Sequence, residues 1–217
     1  MRSERDVLPW SFFLAAIASF FVASLTGHDA LRQLIKPVPV WSLAVFVALR
    51  GTPLSRTIAV GLLFGSVGDI FLETGNPSHF IPGLVAFLLG HLAYAFAFTR
   101  ATSSLALARG APFFALAGVV LAVALPQAGA LGGPIGVYGL VIALMMWRAA
   151  VRVGAGEPDL QTWLGLVGAV LFAFSDAMIA VNRFVAPFTG ARPLILVTYW
   201  GAQALIALSV PGRRAAQ

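Results

Sequence analysis

The chain has 217 residues, 59% of them hydrophobic and only 10% charged, too apolar a composition to coat a water-soluble sphere with polar side chains. The absence of cysteine excludes a secreted disulfide scaffold, and 17 Phe with 5 Trp exclude a disordered chain; a dinucleotide-binding α/β domain is excluded as well. The net charge of +6 comes from 14 basic residues scattered in ones and twos, a pattern that sets membrane topology and does not build a nucleic-acid surface.

In chain order, apolar stretches fall near residues 9–26, 33–49, 57–73, 79–99, 112–127, 134–150, 160–183 and 193–210, each bounded by Gly, Pro or charge. A span takes about 20 residues, so eight helices nearly fill the chain. The expected fold is therefore all-α, a polytopic membrane protein of eight transmembrane helices forming one transmembrane helical domain over residues 1–217. The first stretch follows Arg2 and Arg5 and ends in Val22-Ala23-Ser24, which resembles a signal peptide. It is longer than the usual apolar core of about 7–15 residues, so it is read as a span. Barrel strands would alternate, and these stretches are continuously apolar.

With the N-terminus inside, the inner tails and loops hold Arg2, Arg5, Arg50, Arg56, Arg100, Arg109, Arg148, Arg152, Arg213 and Arg214, against Arg32, Lys36, Arg183 and Arg192 outside. The excess predicts an N-in, C-in orientation, in a bacterial-type inner (cytoplasmic) membrane. Gly61 to Asp69 echoes Gly168 to Asp176, each with an Asp eight residues after a Gly and a small residue just before it. Both stretches run the same way, so a parallel four-helix internal repeat is expected, not the inverted kind.

Asp69, His91 and Asp176 lie inside apolar runs, where an ionisable side chain costs about 2.5–3.5 kcal/mol or more and faces a protein interior or a water-filled cavity. Helical spacing puts Ser66, Asp69 and Glu73 on one face, His91 with Tyr94 on another, and Tyr199 with Gln203 on a third. Ser175 with Asn182, and Asp176 with Arg183, form adjacent stripes on the seventh stretch. Lys36 and Tyr138 begin the second and sixth stretches from the outer side, so the polar set converges on the outer half of the bundle. Glu73 and Arg183 stand at helix ends, where solvated charge is ordinary, and His91 fits a core histidine or a partner of an Asp. Gly61, Gly65 and Gly68 would let their helix pack closely on a neighbour.

Lys36-Pro37, Gly68-Asp69-Ile70-Phe71-Leu72, Phe87-Leu88-Leu89-Gly90-His91-Leu92-Ala93-Tyr94, Tyr138-Gly139, Ser175-Asp176-Ala177, Asn182-Arg183-Phe184 and Thr198-Tyr199-Trp200-Gly201-Ala202-Gln203 together resemble the YhhN-like lysoplasmalogenases. The resemblance runs from the second stretch to the last. It implies a membrane enzyme that hydrolyses the vinyl ether bond of lysoplasmalogens, releasing a fatty aldehyde and a glycerophospho-ethanolamine or -choline. The family's two membrane aspartates match Asp69 and Asp176, the expected catalytic residues. Trp200 departs from the pattern, standing where a second tyrosine is expected.

The chemistry suits these residues. Protonating the β-carbon of a vinyl ether gives an oxocarbenium ion, water adds, and the hemiacetal collapses to aldehyde and alcohol. This calls for one protonated and one ionised carboxyl group, which a carboxyl pair in a low-dielectric cavity supplies because desolvation and mutual repulsion keep one of them neutral. Glycosidases meet an oxocarbenium in the same way. Asp176 is expected to be the acid, being the deeper of the two. Substrate contacts are expected from Lys36, His91, Tyr94, Tyr138, Ser175, Asn182, Arg183, Tyr199 and Gln203, with Lys36 and Arg183 on the headgroup phosphate. The partners are then a lysophospholipid and membrane lipid, with no nucleic acid. No metal and no cofactor is expected, since only His91 of the three histidines lies within an apolar run without a second His at helical spacing. The rival reading is a small proton-coupled membrane transporter, in which the carboxylates and His91 would relay protons.

Overall fold

The computed structural model describes residues 4–155 and 159–212. Of the basic residues counted for topology, Arg2, Arg213 and Arg214 lie outside the described residues, as does the side chain of Arg5. All regular structure among the described residues is helical: α1 (Glu4–Leu25), α2 (Asp29–Ile35), α3 (Val38–Ala48), α4 (Pro53–Glu73), α5 (Phe80–Arg100), α6 (Ala111–Ala128), α7 (Gly132–Val153), α8 (Leu160–Ala180) and α9 (Ala191–Leu208). Short 3-10 turns precede α5, α6 and α7, and a π-helical turn, Val181–Val185, follows α8. Among the described residues, seven stretches are long and apolar enough to cross a membrane. The all-helical reading therefore holds. The longest stretch, Leu107–Val153, contains both α6 and α7, with the chain turning between them at Gly129, whose φ of 53° suits glycine.

The second expected helix is broken. Lys36 closes α2 and Pro37 opens α3, because Pro37 and Pro39 have no N–H to offer the preceding turns. The ends of α4 and α8 are written more plainly in the sequence. Thr52 and Ser55 form a reciprocal capping box that spans Pro53, and the Asp159 carboxylate accepts the Thr162 N–H at 2.7 Å.

The helices form two compact units. The first holds the described residues through Ala93 with Val210–Gly212, and the second holds Tyr94–Ser209. In the first, α3 packs on α1 and α4 around Leu43, Phe46, Ile58 and Leu62. The start of α5 approaches α4 through glycines: a Cβ on Gly90 would stand 3.1 Å from the Gly61 carbonyl oxygen, and one on Gly68 would stand 2.5 Å from the Phe87 ring. In the second unit α8 packs on α9 by the same device, since a Cβ on Gly168 would come within 3.0 Å of the Ala202 carbonyl oxygen. There α7 packs against both α6 and α8. Buried Arg148 donates to the carbonyls of Ser104 and Thr102 beyond the end of α5, and buried Arg152 donates to that of Ser209 after α9.

Candidate active site

The second unit builds one carboxyl site from the residues upward. Tyr138, in the second turn of α7, donates its phenol hydrogen to Asp176 Oδ2 on α8 at 2.8 Å. Both side chains are buried and border a cavity of about 330 Å3 between α6, α7 and α8. Its remaining wall is hydrocarbon and glycine, with Leu121 from α6, Gly139, Ile142 and Met146 from α7, and Phe174 and Met178 from α8. The α8 lining runs from Val170 to Ala180, a length of about 15 Å at the helical rise of about 1.5 Å per residue. A single hydrocarbon chain suits such a space. Its polar part is the Asp176 carboxyl group with its hydroxyl partner, set within the length of the α8 lining.

Asp69 of the first unit lives among charges. Lys36 Nζ lies 3.6 Å from Asp69 Oδ1 and 3.0 Å from Glu73 Oε2. Glu73 Oε1 is bonded in turn by Arg32, which also pairs with Asp29 at 2.9 Å. Lys36, Asp69 and Glu73 are buried, whereas the Asp29 side chain is 76% exposed. Lys36 is thus engaged by carboxylates within its own unit, which is what an ion-pair role would require. Glu73, read from the sequence as a solvated helix-end charge, is part of this buried set. Two facing i,i+4 pairs, Arg32 with Lys36 and Asp69 with Glu73, were the available signal for it.

The other expected contact residues make bonds of their own. Tyr94 donates to Gln203 Oε1 at 2.6 Å, and Gln203 Nε2 donates to the Tyr199 hydroxyl at 3.2 Å. The Phe172 ring packs edge-on against Tyr199 and tilted against Tyr94. Ser175 donates to the Ile195 carbonyl of α9, the Asn182 side-chain oxygen accepts the Phe188 N–H, and the Arg183 guanidinium lies 5.7 Å from the Phe184 ring centre. His91 Nδ1 sits 2.7 Å from the Phe87 carbonyl oxygen, as in a core histidine. Among the described residues no three His, Asp or Glu side chains gather as a metal site would need. The hydrocarbon wall between α6 and α7 was not legible in the sequence, where Leu121, Ile142 and Met146 look like ordinary core or lipid-facing residues.

A family model, that of the YhhN family, matches residues 31–210. The chain belongs to the YhhN family. Several curated relatives are similar over most of the chain. The human "Lysoplasmalogenase TMEM86A" is 36% identical over 209 residues, covering 91% of this chain and 86% of its own. The human "Lysoplasmalogenase TMEM86B" is 31% identical over 215 residues, covering 94% and 87%. A "Lysoplasmalogenase" of Mycobacterium bovis is 30% identical over 203 residues, covering 88% and 73%. No solved structure matches this YhhN-family chain.

Proposed function

We propose that this chain is a membrane hydrolase that cleaves the vinyl ether bond of lysoplasmalogens, yielding a fatty aldehyde and glycerophospho-ethanolamine or -choline. The observation that carries the reading is the Asp176–Tyr138 pair on the wall of a hydrocarbon cavity, in a chain whose YhhN-family relatives are named lysoplasmalogenases. The cavity takes the alkenyl chain and brings its first carbons to Asp176. As a neutral acid, Asp176 donates its proton to the β-carbon, and the electron pair of the double bond forms the new C–H bond. Positive charge then develops on the ether carbon and oxygen beside the carboxylate left behind, a charge that strengthens its interaction with Asp176 only as the reaction proceeds. Water adds to that carbon, its proton passing to the carboxylate pair and so restoring the acid, and as the C–O bond of the hemiacetal breaks its O–H proton passes to the glycerol oxygen, leaving aldehyde and alcohol.

Asp69 is the second, ionised carboxylate. The Lys36 ammonium lies beside it, whereas Asp176 accepts a phenol hydroxyl at the wall of an apolar cavity. The exposed Arg183, one turn of chain beyond the cavity lining at Ala180, is assigned to the headgroup phosphate. Lys36 is assigned to Asp69. Counting α2 with α3 as one span, and α6 and α7 as two, supports eight spans, with both termini on the inner side of a cytoplasmic membrane. The relatives do not favour a carrier.

The test is aldehyde release from lysoplasmenyl-ethanolamine by the purified protein in detergent or lipid discs. Turnover is expected, and it should be unchanged by EDTA, because the chemistry requires no metal. A folded preparation that releases no aldehyde would sink the reading.

A further inference from the structure

The geometry points to Glu73 as a positioning residue: it holds the Lys36 ammonium beside Asp69 while keeping it from closing on that carboxylate. The inference rests on the reading of Asp69 as the ionised carboxylate of the reaction. Glu73 is the last residue of α4, and its side chain is only 4% exposed. Each of its oxygens takes a different cation, Oε1 the Arg32 guanidinium and Oε2 the Lys36 ammonium at 3.0 Å. The ammonium is therefore in hydrogen-bond contact with Glu73, whereas its 3.6 Å separation from Asp69 lies beyond hydrogen-bond range and well within reach of charge attraction.

Helical spacing explains why the set exists. Asp69 and Glu73 are four residues apart on α4, and Arg32 and Lys36 are four apart at the end of α2. Like charges at that spacing repel, and buried charge without a partner is costly, so neither pair is stable alone. Facing each other, the four groups neutralise one another, and Asp29 anchors Arg32 at the exposed end.

The arrangement suits a reacting carboxylate. An ammonium in full contact would stabilise Asp69 equally before and during the reaction, and only interactions that strengthen in the transition state raise kcat. Held off by Glu73, Lys36 attracts the Asp69 carboxylate yet leaves its oxygens able to respond.

The experiment is a double-mutant cycle on the full chain with Glu73→Gln and Lys36→Met, read in aldehyde release and in thermal unfolding. With Glu73→Gln, Lys36 closes on Asp69, and kcat should fall about tenfold with KM held within about twofold. Lys36→Met also lowers kcat, because two neighbouring carboxylates then share Arg32. In the double variant Asp69 is the one buried carboxylate left for Arg32, beside its exposed partner Asp29, so Glu73→Gln should cost nothing further, leaving kcat and melting temperature at or above those of Lys36→Met. Losses that simply multiply in kcat would overturn the proposal. Should Glu73→Gln not fold, Glu73→Asp replaces it, the shorter side chain drawing back from the Lys36 ammonium, with a smaller fall expected that vanishes in the Lys36→Met background; persistence of that fall is equally fatal. If the wild type releases no aldehyde, the functional reading fails and the unfolding cycle alone decides, with additive temperature losses counting against Glu73.

Discussion

The two membrane aspartates of this chain have opposite surroundings. Asp69 stands beside a lysine, which a glutamate and an arginine hold in place in turn, all nearly out of solvent. Asp176 accepts a tyrosine hydroxyl and borders a cavity whose other lining side chains are apolar. The same residue type in the same sequence setting, eight positions after a glycine on a helix that packs closely through glycine, thus stands in two kinds of surroundings. Cationic neighbours favour a carboxylate, and hydrocarbon favours a carboxylic acid. The pair teaches that the role of an aspartate is assigned by what stands opposite it.

That contrast is most exposed to substitution at the aspartates themselves. Asn at either position should lower kcat by at least about 10², as measured by aldehyde release from the folded protein. The two should differ in stability, because Asp69→Asn strands part of the charge on Lys36 and lowers the melting temperature, whereas Asp176→Asn keeps a partner for Tyr138 and leaves it nearly unchanged. Equal melting temperatures would erase the distinction. Tyr138→Phe retains the ring and removes the hydroxyl, and should cost about tenfold in kcat with little change in KM. Gly139→Leu should act on the cavity instead. A Cβ there already meets the Leu121 side chain at 3.1 Å, so the larger side chain fills the space for the alkenyl chain. KM is expected to rise about tenfold while kcat holds within about twofold. Thr52→Ala, far from either aspartate in sequence, should cost only about 1 kcal/mol of stability through the lost capping box, seen as a shift in unfolding with unchanged turnover per folded molecule.

Much of this was legible in the chain itself. Hydropathy located the helices, and Gly68-Asp69 and Ser175-Asp176 marked the carboxyl groups as out of place in hydrocarbon. The pairing of Tyr138 with Asp176 is a contact between residues 38 apart, visible beforehand only as two polar residues sharing one expected depth. The cavity left no trace at all, since Leu121, Ile142 and Met146 are what any membrane helix carries. Tyr94, Gln203 and Tyr199 carry a second reading. Their polarity suggests ligand contact, yet they bond to one another around Phe172 and brace α5, α8 and α9. Polarity in an apolar run signals a partner and does not say whether the partner is substrate or protein.

Arg148 and Arg152 carry a consequence for biogenesis. While the chain is being inserted, each is a positive charge at the end of an emerging segment, one of the marks by which a translocon sorts loops. Once folded, their guanidinium groups close the carbonyl ends that follow α5 and α9. A lysine at either site would preserve the sorting signal, but a single ammonium cannot reproduce the planar fork by which Arg148 grips two carbonyls. Lysine variants at these sites should therefore reach the membrane in the correct orientation and still assemble poorly, so that an insertion assay and a folding assay, which usually agree, would part company at these two residues.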